Sequence, residues 1–108
     1  MEVKSKEDSG ITIVTPVGRV DTATVKVFEE GVMAIKNNKI VISFSQIDYI
    51  SSAGLRVVLM LGKKLSASNG TLVLVDMPTN IFNVFKMSGF DKILKICANF
   101  EESKPFFN

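Results

Sequence analysis

The residue types of this sequence exclude most catalytic chemistry. Histidine is absent and there is one cysteine, Cys97. Without histidine there is no Ser-His-Asp or Cys-His arrangement, no imidazole general base and no ordinary catalytic zinc site. A lone cysteine closes no intramolecular disulfide and builds no cysteine-based zinc site, which suits a reducing compartment. Asp21 and Asp48 could each ligate a metal, but they follow no ligand spacing. No Gly-x-x-x-x-Gly-Lys or Gly-x-Gly-x-x-Gly run is present to cradle a phosphate. The sequence therefore predicts no catalytic residue, no metal and no cofactor.

What remains is a pair of hydroxyls. Ser51 and Ser52 stand immediately before Ala53, Gly54 and a run from Leu55 onward with helical apolar spacing. A serine in that place starts a helix, because its hydroxyl accepts a hydrogen bond from an otherwise unpaired N–H of the first turn. With Ser52 as the cap, the nearest such donors are Gly54 and Leu55. A hydroxyl on this junction faces solvent and partners, and the helix end beside it stabilises negative charge. Phosphorylation is the chemistry it suits, adding up to about two negative charges. An ordinary structural cap is the competing reading.

The elements that must hold this junction follow from periodicity. Residues 2–7 read as an edge strand, Asp8-Ser9-Gly10 as a hairpin turn, and the β-branched run 11–17 as a second strand. Asp21 or Thr22 can cap the next helix, whose stripe is Val25, Phe28, Val32 and Ile35 and which Asn37-Asn38 ends. A short strand at 40–44 leads through a loop at 45–50 into the central helix, closed by Asn69-Gly70. A strand at 72–75, a helical stripe through Ile81 and Phe85 closed by Gly89, and a last strand at 93–96 follow. Phe106-Phe107 in the tail either docks or is exposed. Strands alternating with helices predict an α/β domain with a mostly parallel sheet, and the hairpin adds one antiparallel strand. Sites in such sheets form beyond the carboxyl ends of the strands, which gathers Asp21, Ser52 and the turn at 76–79 on one edge.

On a helical wheel Leu55, Val58, Leu59, Gly62, Leu65 and Ser66 form the core stripe of the central helix, with Leu61 flanking. Arg56, Lys63 and Lys64 lie opposite, and Val57 and Met60 fall among them. Val57 and Met60 are therefore expected to be exposed and to contact a partner, methionine being an adaptable contact.

The chain has 108 residues and a formal charge of +2. That length fits a single domain over 1–108 and lets roughly 60–65% of the unfolded surface be buried. The charge is too weak to argue for nucleic acid or an anionic membrane. The charged N-terminus is no signal peptide, and the longest uncharged apolar run, 57–61, is far too short to span a bilayer. A cytoplasmic protein, monomeric when free, is expected.

Ile50-Ser51-Ser52-Ala53-Gly54-Leu55-Arg56 resembles the signature of the STAS domain, named for sulfate transporters and anti-sigma-factor antagonists. Gly18-Arg19-Val20-Asp21 is similar to the family's junction between strand and first helix, and 88–93 to its closing segment. The resemblance covers nearly the whole chain. It implies a STAS-like sheet with an N-terminal hairpin under three to four α-helices. It further implies a bacterial anti-sigma-factor antagonist, which binds an anti-sigma factor that is also a serine kinase and so frees the sigma factor. Ser52 matches the phosphoacceptor, with Ser51 as the alternative, and a PP2C-type phosphatase restores the active form. Taken together, the expected binding surface comprises Asp21, Ser51, Ser52, Ala53, Gly54, Arg56, Val57 and Met60. The family often has Asp where this chain has Ser51, and other members act unphosphorylated as subunits or scaffolds of transporters and signalling complexes.

Overall fold

The computed structural model describes residues 1–107, so the tail is followed to Phe107 and Asn108 lies outside the described residues. Strands β1 (Glu2–Asp8) and β2 (Ile11–Val20) form the expected antiparallel hairpin, with Asp8 opposite Ile11. Both loop residues take positive φ, 58° at Ser9 and 78° at Gly10. A two-residue loop of that kind matches the twist of the strands it joins.

β2 runs three residues past the expected end, and the extension matters. Its first half pairs in parallel with β3 (Lys39–Ser43) through Thr12, Ile13 and Val14. Its far end pairs in parallel with β4 (Ile47–Ile50), with a register shift between Gly18 and Arg19. Pro16, which has no N–H to donate, stands in the gap between these two pairings, where neither β3 nor β4 has a residue aligned with it. Gly18 makes the bend at φ 118°, a conformation that only glycine adopts freely. The segment 45–50 was expected as loop; its second part is instead a strand made by this pairing.

Helix α1 (Val25–Met33) stops short of Asn37, whose amide donates to Gly10 O at 2.9 Å and Thr12 Oγ1 at 3.2 Å and so ties the hairpin to the entry of β3. Helix α2 (Ser52–Ala67) ends where expected, with Asn69 left-handed at φ 59°. Then come β5 (Thr71–Val75), α3 (Thr79–Met87), a 3₁₀ turn at Phe90–Lys92, β6 (Lys95–Ile96), α4 (Phe100–Ser103) and a final 3₁₀ turn at Lys104–Phe107. The last strand is two residues, shorter than the expected 93–96. The sheet order is β1-β2-β3-β5-β6, with β4 beside the end of β2.

Successive strand residues point to opposite faces, and both faces of this sheet are covered. Val14, Ile40, Ile42, Leu72 and Leu74 pack under the three long helices against Phe28, Val58, Leu61 and Phe85. Ile11, Ile13, Val41, Val73 and Val75 face the other way, and Phe100 and Phe107 of the tail close over them. Each such side chain, fully buried, contributes about 1.5–3 kcal/mol. The Phe106-Phe107 doublet divides: Phe107 docks and Phe106 stays 46% exposed.

Candidate functional site

Parallel pairing of β2 with β4 sets the site. Val20 and Ile50 are aligned at the carboxyl ends of the two strands. Asp21 and Ser51 therefore leave the sheet side by side, and the Ser51 N–H donates to Val20 O at 2.8 Å. That bond holds Ser51 extended, the conformation a helix cap requires.

Ser51, not Ser52, is the cap of α2. Its Oγ accepts from the Gly54 N–H at 3.2 Å. Ser52 is the first residue of the helix, and its side chain is exposed. The expectation that Ser52 caps is corrected by one residue, and the correction separates two roles. One hydroxyl is committed to the fold, and the next stands in solvent at the positive end of a 16-residue helix.

The buried stripe of α2 is also rotated from the expected one. Gly54 and Val57 are buried, Val57 to 4% exposure, while Leu59 is only half-buried and Ser66 is exposed. Val57 thus does not offer a partner the exposed contact expected of it, and Gly54 serves packing. The cause is local. A Cβ on Gly54 would come within 2.6 Å of Val20 Cγ1 and 2.8 Å of Ile50 Cγ1. Lacking one, the helix start lies flat on the ends of β2 and β4, which turns Val57 inward. Arg56 and Met60 remain outward, Met60 at 46% exposure, and Ala53 is half-buried beside them. Met60→Glu should leave the melting temperature nearly unchanged, since surface changes cost within about 0.5 kcal/mol. The same variant should bind the partner more weakly, and a large loss of stability by thermal melting would place Met60 in the core.

Asp21 organises the other half of the site. α1 begins at Val25, and Asp21 caps the turn that precedes it. Its Oδ1 accepts from the Ala23 N–H at 3.0 Å and from the Thr24 N–H and hydroxyl, each at 3.2 Å. Its Oδ2 lies 3.5 Å from Arg19 Nε. The Arg19 guanidinium in turn sits 4.6 Å over the ring of Tyr49, which is 42% exposed and aligned with Arg19 across β2 and β4. Desolvation pushes the Asp21 carboxyl upward, but the hydrogen bonds from Ala23, Thr24 and Arg19 outweigh it, and the group is held below its ordinary value of 3.8. A lowered folded-state value favours the ionised form in the fold. Its stabilisation is full above the unfolded value and lost as pH falls through the lower folded one. Asp21→Ala should lower the melting temperature, and Asp21→Asn, which still caps, should keep most of it while flattening the acid limb of the stability profile. A partner that binds Asp21→Asn normally does not read the charge.

The sequence alone does not mark Arg19 and Tyr49 as site residues. Their pairing depends on β4, so the signal was available only to a reading that made 47–50 a strand. The third expected member, the turn after β5, is tied elsewhere. Asp76 Oδ2 accepts from Ser43 Oγ at 2.8 Å, at the ends of β5 and β3, and Asn80 of α3 reaches Asp48 O at 3.1 Å. Cys97 has its thiol pushed up by burial and by the charge of Glu102, which favours the protonated form. Among the described residues no cluster of three or more His, Cys, Asp or Glu is arranged to hold a metal, and no helix is long and apolar enough to cross a membrane.

A mostly parallel sheet with an N-terminal antiparallel hairpin, four helices and a serine at the head of the helix after β4 is the STAS fold, and the STAS domain pattern matches residues 2–103. A Bordetella bronchiseptica protein described as "Putative anti-sigma factor antagonist BtrV" is 32% identical over 110 residues, covering 99% of this chain and 95% of that protein. A Thermotoga maritima protein whose crystal structure is described as that of "a putative anti-sigma factor antagonist" superposes with a TM-score of 0.90 at 23% identity, over 97% of this chain and 93% of that one. The phosphorylated form of the Bacillus cell fate determinant SpoIIAA gives 0.72 at 18% identity, over 95% and 96%. The chain belongs to the STAS-domain family of anti-sigma factor antagonists, which are regulatory proteins and not enzymes.

Proposed function

We propose that this protein is a cytoplasmic partner switch: it binds an anti-sigma factor that is also a serine kinase, frees the sigma factor, and is turned off by phosphorylation of Ser52. The observation that carries the reading is the division of labour at the head of α2, where Ser51 caps and Ser52 is left exposed. The kinase transfers the γ-phosphoryl group of ATP to Ser52 Oγ, and ADP leaves. A PP2C-type phosphatase reverses the modification. That SpoIIAA, of the same fold, exists in a phosphorylated form supports the reading.

The docking surface comprises Asp21, Ser51, Ser52, Ala53, Arg56 and Met60, joined by Arg19 and Tyr49. Serine in place of the family's frequent Asp at position 51 fits this scheme, because serine and aspartate cap about equally well. Arg56 lies one turn beyond Ser52 on the same side of the helix, and long side chains on a helix lean toward its N-terminus. A phosphate on Ser52 thus meets a cation as well as the helix dipole.

Intact mass after incubation with ATP and the kinase, followed by phosphopeptide mapping, tests the reading. One phosphate on Ser52 is expected. A phosphate on Ser51 moves the acceptor by one residue. No phosphate on either serine, with a kinase shown to be competent, overturns the switch in favour of an unphosphorylated subunit of a larger assembly.

A further inference from the structure

A second surface lies at the other end of α2. Leu59, Gly62, Leu72, Ile93 and Leu94 line a trough of about 390 Å³ between the last turns of α2, the start of β5 and the segment entering β6. A Cβ on Gly62 would meet Leu94 Cδ2 at 3.2 Å, so the absent side chain lets Leu94 close tightly on the helix and form the floor. Ile93 is left 63% exposed at the edge. Lys63 and Lys95 also line the trough, both exposed, and no carboxylate does. Among the described residues neither lysine is in an ion pair.

We propose that this trough binds a free medium-chain fatty carboxylate, with its chain along the leucine floor and its head group between Lys63 and Lys95. The volume falls in the lower part of the range of small-molecule sites, about 300–1,000 Å³. An apolar floor with two unpaired cations and no anion selects a ligand that is apolar along its length and negative at one end. The trough centres on Gly62, ten residues along α2 from Ser52, which is about 15 Å at the helical rise, so a ligand here leaves the serine uncovered.

The test is a titration of the isotope-labelled full chain with decanoate below its micelle-forming concentration, followed by amide NMR. Saturable shifts confined to the trough, at Gly62, Ser66, Thr71 and Lys95, are expected. Decanol, with the same chain and no charge, should bind more weakly. The double variant Lys63→Gln, Lys95→Gln should lose about tenfold in decanoate affinity while its decanol affinity holds, two partly solvated charge contacts being worth about that much. Both substitutions are on exposed side chains, and a melting curve checks that the variant is folded. Shifts that do not saturate, that scatter over the surface, or that decanol reproduces at equal affinity overturn the proposal. So does a Glu-rich, leucine-containing peptide that moves the same amides when decanoate does not, which would assign the trough to a protein partner. None of these readouts involves the kinase or a phosphate.

Discussion

Protein carrying a phosphate on Ser52 should stay folded, with a melting temperature at or slightly above that of the unmodified chain, and should bind the kinase about a hundredfold more weakly. The two effects have opposite signs because the same charge meets two environments. In the free protein the phosphate sits on the first residue of α2, where the unpaired N–H groups and the dipole favour an anion by about 0.3–1 kcal/mol at an exposed site. Arg56, four residues on, adds an ion pair of the kind that stabilises helices by a few tenths of a kcal/mol. In the complex a partner lying over Ser52 must desolvate the phosphate or withdraw from it, and an unpaired buried charge costs several kcal/mol. About 3 kcal/mol is a hundredfold in affinity. Ser52→Ala should bind as the unmodified protein does and be immune to the kinase, and Ser52→Glu should bind weakly with less than the full charge of a phosphate. Calorimetric titration of the four forms against the kinase measures this. Equal affinity of phosphorylated and unmodified protein would show that the partner does not cover Ser52.

Val57→Glu should be strongly damaging, costing more than about 3 kcal/mol. Val57 is 4% exposed and part of the main core, so the substitution forfeits its burial and places a carboxylate with no partner among apolar side chains. Domains of this kind have about 5–15 kcal/mol of stability in all, so the change would remove a fifth or more of it. Met60→Glu, three residues further along the same helix, is the control, since its side chain is 46% exposed. Gly54→Ala should fall between them at about 1–3 kcal/mol, the usual cost of overpacking, because its methyl group would enter space held by Val20 and Ile50. Denaturant midpoints rank the three variants. Equal stability of Val57→Glu and Met60→Glu would mean that the helix lies as its apolar periodicity alone suggests.

What the sequence determined by itself was everything with a local cause. The hairpin turn, the four main strands, the three long helices and the stops of α2 at Asn69 and of α3 at Gly89 were legible because capping, left-handed φ and periodicity act within a few residues, whereas α1 ends at Met33, short of the expected Asn37-Asn38 stop. The loss of histidine chemistry was legible from composition alone. The head of α2 was legible as a serine-bearing helix start, and the STAS signature on it pointed to the family to which the chain belongs. The tertiary structure decided what depends on residues far apart in the chain. Ile47–Ile50 is a strand only because the end of β2 lies beside it, and its burial pattern, with only its two ends buried, carries no alternation to announce it. That one pairing then fixed the rest of the site. It drew Ser51 into the capping role through the Val20 carbonyl, left Ser52 free, aligned Arg19 with Tyr49, and seated Gly54 on two strand ends so that Val57 turned inward. A helical wheel gives the spacing of side chains around an axis but not the direction of the core. For α2 that direction was set by the absence of a single Cβ against Val20 and Ile50.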